Sequence, residues 1–224
     1  MRWLGVLGVL LGGLWLAGCG GDEAPVVVQP PVVDEFLPPP AETPAKVLLI
    51  GDSITFGYWP ETKRLLQGKA LVTWTGNGSN TAYGLQRLDF FLQGQHWDVI
   101  HVNFGLHDIR LDTGQVAVSP TEYAANLHAI VQRLRATRTR LIWAMTTPVP
   151  AERPYMITIN SDVLRYNEIA RQVMTAEHVP INDLYAYINP DLATYQIPKD
   201  VHFTVAGYAH LAIPVAAAIE AALR

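Results

Sequence analysis

From residue 46 onward, short dense apolar runs alternate with longer stretches in which apolar positions recur every three or four residues, a pattern that predicts strands separated by helices. The runs at 47–50, 70–74, 99–104, 141–145 and 180–184 read as five strands. Helices are predicted over 59–67, over 81–92 with Leu85, Leu88 and Leu92 on one face, over 161–178 opened by Ser161 and Asp162, and over 205–223. The plainest helix start is Ser119-Pro120-Thr121-Glu122, a cap, a first-turn proline and an acid at the third position, followed by Tyr123, Leu127, Ile130, Val131 and Leu134. Pro214 lacks an amide donor and predicts a kink or break in the last helix. Parallel neighbours need crossover connections, and these cover both faces of a sheet, so the fold class is α/β, a three-layer α/β/α sandwich around a five-stranded parallel sheet. Ligands of such sheets bind beyond the carboxyl ends of the strands, where chemistry-bearing residues are to be sought.

Residues 46–224 are long enough for one substantial core, and half of the 224-residue chain is apolar. The preceding segment has a different character. Arg2, an apolar run at 4–16 and then Leu16-Ala17-Gly18-Cys19 have the order of an export signal, with an apolar core too short for the roughly 20 residues of a membrane span. The last four of these residues resemble the bacterial lipobox, which implies removal of 1–18 and a lipid on the sulfur of Cys19. Residues 19–45, with Pro30-Pro31 and Pro38-Pro39-Pro40, read as a semi-extended tether. The expected location is therefore the bacterial cell envelope, on its periplasmic face or at the outer membrane or cell surface. Cys19 is the only cysteine, which excludes an internal disulfide and a cysteine metal cluster. A net charge of -4 gives no field for nucleic acid, and Arg133, Arg135, Arg138 and Arg140 fit the carboxyl end of a helix. No partner subunit is expected.

Three clusters follow predicted strands or approach the carboxyl end: Gly51-Asp52-Ser53-Ile54-Thr55, Gly105-Leu106-His107-Asp108, and Asp200-Val201-His202-Phe203-Thr204 leading to Gly207-Tyr208. A serine hydroxyl becomes a nucleophile when a base takes its proton, so a histidine must come within hydrogen-bond reach. At a strand tip where a helix begins, the serine also lies among free amides that can stabilise an oxyanion. In order, the clusters resemble the blocks of the SGNH (GDSL-type) hydrolases, and the resemblance covers essentially all of 46–224. It implies a flavodoxin-like SGNH fold, Ser53 as nucleophile, His202 as base and an oxyanion hole of the Ser53 amide, a second-block glycine amide and a third-block side chain. For the second donor, 74–80 offers Gly78 and Ser79; Gly78 is preferred because a residue without a side chain lets the backbone approach substrate.

The chain departs from the family pattern twice. His107 stands where the family has asparagine, so the third donor would be an imidazole N–H, the alternative being that His107 only packs its loop. Lys199 stands three before the histidine, where the family has aspartate, while Asp200 stands two before. Asp200 is the expected partner of His202, against a Ser-His dyad supported by a backbone carbonyl. Asp52 and Asp108 are expected to support tight turns by capping local amides. His101 reads as packed, and His96, His128, His178 and His210 as surface or helix residues; Asn103 and Trp143 near strand ends are candidates to line the pocket. No histidine spacing suggests zinc, and no cofactor is expected. The resemblance implies an esterase or acylhydrolase acting through an acyl-serine on a small-molecule or glycan ester, with an O-acetyl group on a polysaccharide as the first candidate. An acyltransferase using the same serine and an inactive glycan-binding surface protein are the alternatives. The loops at 112–118 and 149–159 shape the pocket and hence its selectivity.

Overall fold

The computed structural model describes residues 43–112, 114–150 and 159–224, so the expected signal, Cys19, most of the tether and much of the 149–159 loop lie outside the described residues. In chain order the elements are β1 (Ala45–Gly51), α1 (Ser53–Leu65), β2 (Ala70–Asn77), α2 (Thr81–Gln86), α3 (Leu88–Leu92), β3 (Val99–Asn103), β4 (Leu111–Asp112), β5 (Gln115–Val116) and α4 (Pro120–Arg135). They continue with β6 (Arg140–Ala144), α5 (Asn160–Ala176), β7 (Ile181–Asn182), α6 (Leu184–Ile188), α7 (Leu192–Tyr195) and α8 (Val205–Leu223).

Five strands form one parallel sheet in the order β2-β1-β3-β6-β7. Val47–Ile50 of β1 are completely buried, as a central strand covered on both faces requires. Helices α1 and α8 pack together, and α2 and α5 pack on α4. The order reverses beside β1, which makes the carboxyl tips of β1 and β3 the topological switch point, the ordinary place for a ligand in such a sheet. The sheet architecture is the one expected from the sequence.

Helix α4 carries the full capping box: Ser119 Oγ accepts from the Glu122 amide and the Glu122 carboxylate accepts from the Ser119 amide. Only Arg133 and Arg135 lie in its last turn; Arg138 has a left-handed φ of 59° and Arg140 begins β6. Other elements differ from expectation. Helix α1 begins at Ser53 rather than near residue 59, carrying Gly57 and Pro60 inside it. Gly57 is where the ring of Tyr208 on α8 lies: a Cβ there would sit 2.1 Å from it, so close packing of the two helices outweighs glycine's poor helix propensity. The helix expected over 81–92 divides at Arg87, and α5 is capped by the Ile159 backbone without any side-chain bond, so Ser161 and Asp162 lie within the helix rather than opening it. Beyond Asn182 the fifth strand gives way to α6, because Asp183 Oδ1 accepts from the Ala186 amide and starts a helix. Helix α8 is continuous through Pro214, whose carbonyl accepts from Asn182 Nδ2 at 3.3 Å. It is apolar and long enough for a membrane span, but Leu211, Val215 and Ile219 are buried in the core.

Candidate active site

At the tip of β1, Asp52 is the N-cap of α1, its Oδ1 accepting from the Ile54 amide at 2.9 Å, and Ser53 is the first helical residue. The Ser53 amide is thus one of the first-turn donors with no partner inside the helix. Ser53 Oγ lies 2.9 Å from His202 Nε2, across 149 positions of chain. His202 Nδ1 lies 2.7 Å from Asp200 Oδ1. With the Nδ1 proton donated to the carboxylate, Nε2 presents its lone pair to the serine hydroxyl.

The displaced aspartate reaches the imidazole through the local turn. The Asp200 amide donates to the Ile197 carbonyl at 3.0 Å, Pro198 and Lys199 occupy the centre, and Lys199 has a φ of +63°. Proline second and a left-handed residue third is the pattern of a type II turn. Asp200 Oδ1 then accepts from both the His202 amide, at 3.1 Å, and the ring. A carboxylate, rather than a main-chain carbonyl, therefore meets Nδ1. Partial burial works against charge on Asp200, but the hydrogen bonds from His202 outweigh it and hold its carboxyl below the usual value. The loop is tied down elsewhere by Ile197 N to His202 O at 2.9 Å, Thr204 N to Tyr195 O at 2.8 Å, and Gln196 Nε2 to Pro148 O at 2.9 Å.

The second and third blocks are bound to each other. Asp108 Oδ1 accepts from the amide of Thr81 at 2.9 Å and from its hydroxyl at 2.5 Å, so Asp108 anchors the start of α2 instead of capping its own turn. Thr81 was not singled out in the sequence; its only signal there is its place after Asn80, whose side chain caps α2. Burial pushes the Asp108 carboxyl up to about 6, against the two bonds from Thr81. Burial also raises Asp52, opposed first by the nearby His107 and then by its amide bond. The Oδ2 atoms of both acids are buried without a hydrogen-bond partner among the described residues. Gly105, with φ +142°, brings the third block against Thr146, whose hydroxyl would lie 2.2 Å from any Cβ. His107 is half-buried beside this turn.

Gly78 requires a correction. Its amide donates to the Gly51 carbonyl at 2.8 Å, extending the β1–β2 ladder, and a Cβ there would lie 2.9 Å from the Phe104 ring. Glycine is demanded by that packing, and its N–H is engaged within the protein. The Ser79 amide is engaged as well, by Asn77 Oδ1 at 2.8 Å. Asn103 and Trp143 are buried rather than lining a cleft; Asn103 Nδ2 donates to Ala144 O at 3.0 Å, clamping β3 to β6. His101 is buried edge-on to Tyr58, with Asn182 Nδ2 3.2 Å from its Nε2, and burial pushes it down to about 3, so it is neutral.

A strand-tip serine joined through an imidazole to a carboxylate, in a doubly wound sandwich, is the constellation of a serine hydrolase. The GDSL-like Lipase/Acylhydrolase family model matches residues 49–210, and the chain belongs to that family of carboxylic ester hydrolases. Among solved structures it resembles a lipase/acylhydrolase from Enterococcus faecalis, with 22% identity over 79% of this chain and 96% of that one and a TM-score of 0.70. It also resembles the acetyl xylan esterase AlAXEase, at 18% identity over 78% of this chain and 99% of that one, with a TM-score of 0.67. An acetylxylan esterase from Geobacillus stearothermophilus, Axe2, matches at 20% identity over 76% of this chain and 92% of that one, with a TM-score of 0.63. No curated protein matches significantly.

Proposed function

We propose that the chain hydrolyses short acyl esters on carbohydrate through an acyl-enzyme at Ser53. The observation that carries this reading is the hydrogen-bonded series Ser53 Oγ, His202 Nε2, His202 Nδ1, Asp200 Oδ1 at the switch point of the sheet. His202 takes the hydroxyl proton as Ser53 Oγ attacks the ester carbonyl; the C–O bond to the alcohol breaks and the proton is returned to that alcohol. Water, deprotonated by the same imidazole, then releases the acid and regenerates the serine. Asp200 holds the tautomer and offsets the charge of the imidazolium. Two donors are assigned to the developing oxyanion, the Ser53 amide and an N–H of His107, each worth about 3 kcal/mol in such sites. Gly78 would join them only by exchanging its bond to the Gly51 carbonyl.

The carbohydrate part of the proposal is supported by the acetyl xylan esterases among the structural relatives. A fluorophosphonate probe tests the chemistry: it should label Ser53, as located by peptide mass spectrometry, and fail to label Ser53→Ala. An unlabelled parent chain across pH 6–9 would replace the enzyme with a binding protein. We further propose export and attachment to the envelope through a lipid on Cys19, supported by the order of features in residues 1–19. Metabolic labelling with a palmitate analogue should mark the chain and be lost in Cys19→Ser; equal labelling of both would defeat it.

A further inference from the structure

Outside the hydrogen-bonded site, aromatic rings flank β2, one of the two edge strands of the sheet. Phe56 stands three residues beyond Ser53 on α1, and residues so spaced are neighbours on one helix face. Its ring contacts Trp74 of β2 at 4.8 Å between centroids, and Trp59 closes the group at 6.1 Å from Trp74. Two residues along the strand from Trp74, the Cβ that Gly76 lacks would lie 3.5 Å from the ring of Phe90. The guanidinium of Arg87 covers Phe90 at 4.3 Å and lies 6.0 Å from Tyr83. Phe56 and Phe90 are each 49% exposed and Tyr83 44%, although Phe56 lies one helical turn from the nucleophile and Tyr83 three residues from the Asn80 cap. Two groups of large half-exposed rings on either side of Gly76 mark a binding surface more than a packing accident.

We infer that these rings form a glycan-stacking strip that holds a polysaccharide beside Ser53; it rests on the proposed carbohydrate esterase reading and adds the residues that select the polymer. The composition decides the occupant. A pocket for an acyl chain is enclosed and can be lined by flexible aliphatic groups, whereas these are rigid rings about half exposed at the surface. The electron-rich face of an aromatic ring attracts the C–H bonds that cover one side of a pyranose, while the sugar hydroxyls stay in water. The strip begins beside the reacting serine, so a sugar whose ester is at Ser53 has its chain neighbours directed along β2.

Affinity electrophoresis of the full chain carrying Ser53→Ala, through gels containing soluble acetylated xylan, glucomannan or pectin, tests the strip without turnover. At least one polymer should retard the chain, and Phe56→Ala or Phe90→Ala should weaken that retention about tenfold or more. Phe90→Leu, which keeps apolar bulk and removes the ring face, should weaken it similarly, and Leu164→Ala, an exposed apolar position on α5, should not. Thermal unfolding checks that each variant folds. The inference is overturned if no polymer retards the chain, if Phe90→Leu binds as the parent does, or if the ring variants lose only binding to phosphatidylethanolamine–phosphatidylglycerol vesicles or turnover of p-nitrophenyl octanoate. Because retention needs no hydrolysis, a chain that binds polymer but cannot deacetylate it sinks the reaction alone, and one that deacetylates without retention sinks the strip alone.

Discussion

The two halves of the active site are held in place by different means. Ser53 belongs to a helix that follows the interior strand β1, with Asp52 beneath it at 1% exposure and Asp108 fully buried on the neighbouring loop. His202 and Asp200 stand on a short connection between α7 and α8, their side chains 38% and 45% exposed, with the turn before them using a left-handed lysine. The nucleophile is fixed by the buried start of α1, and the half-exposed base by main-chain bonds and by its buried neighbours Val201 and Phe203. Substitutions of the buried acids around Ser53 should thus register as lost stability, and those of Ser53 itself and of the second side as lost rate at nearly constant stability.

The largest expected effect is Ser53→Ala or His202→Ala, each lowering kcat about 10⁴-fold or more with little change in Tm. Asp200→Asn should lower kcat/KM by about 10³-fold across pH 6–9, again without unfolding, because the ring loses its tautomer partner; unchanged rates would restore the Ser-His dyad. His107→Ala should cost about 10²-fold in kcat and His107→Asn should recover most of it, since a carboxamide also donates an N–H. Near-normal rates in His107→Ala would remove it from the oxyanion hole. On the nucleophile side the measurement changes to calorimetry. Asp108→Ala strands two buried donors of Thr81 and should cost about 2–4 kcal/mol, near 6–12 °C in Tm for a chain of this size.

The pH dependence separates the halves further. The Asp108 carboxyl is raised to about 6, so the folded chain keeps its proton while the unfolded chain ionises near 4. Stability from this group is full at low pH and falls as pH rises from about 4 to about 6. Asp52 acts in the same direction, and Asp200, whose carboxyl is lowered, acts in the opposite one, losing its contribution as pH falls below the usual carboxylate range. Asp108→Asn should flatten the fall in Tm between pH 4 and 7, and an unaltered slope would move the titration to another group. The smallest effect is Lys199→Gly, which relieves a left-handed residue worth about 1 kcal/mol but enlarges the unfolded ensemble; Tm should rise by no more than about 3 °C.

The strands were legible because the buried runs are nearly pure apolar sequence, as in Val47–Ile50, and α8 was legible in its bounds, although Pro214, expected to kink or break it, lies inside a continuous helix. The clusters around Ser53, His107 and His202 follow from motif order, and the distances bring Ser53, Asp200 and His202 together. What sequence hid was decided by contacts remote along the chain. The passage of α1 through Gly57 goes with Tyr208 packed over it, the role of Asp108 depends on Thr81, and the state of the Gly78 amide on the Gly51 carbonyl. The β4–β5 hairpin and the helices α6 and α7 are too short to show a period. Aspartate two before histidine could be judged only once the Pro198-Lys199 turn was seen to fold the carboxylate back onto the ring.

The 149 positions that separate the serine from its imidazole also set a schedule. A ribosome adding about 5–20 residues per second leaves roughly 7–30 s in which the nascent polypeptide carries residue 53 with no residue 202 to pair with. For that interval the serine hydroxyl has no His202 to take its proton.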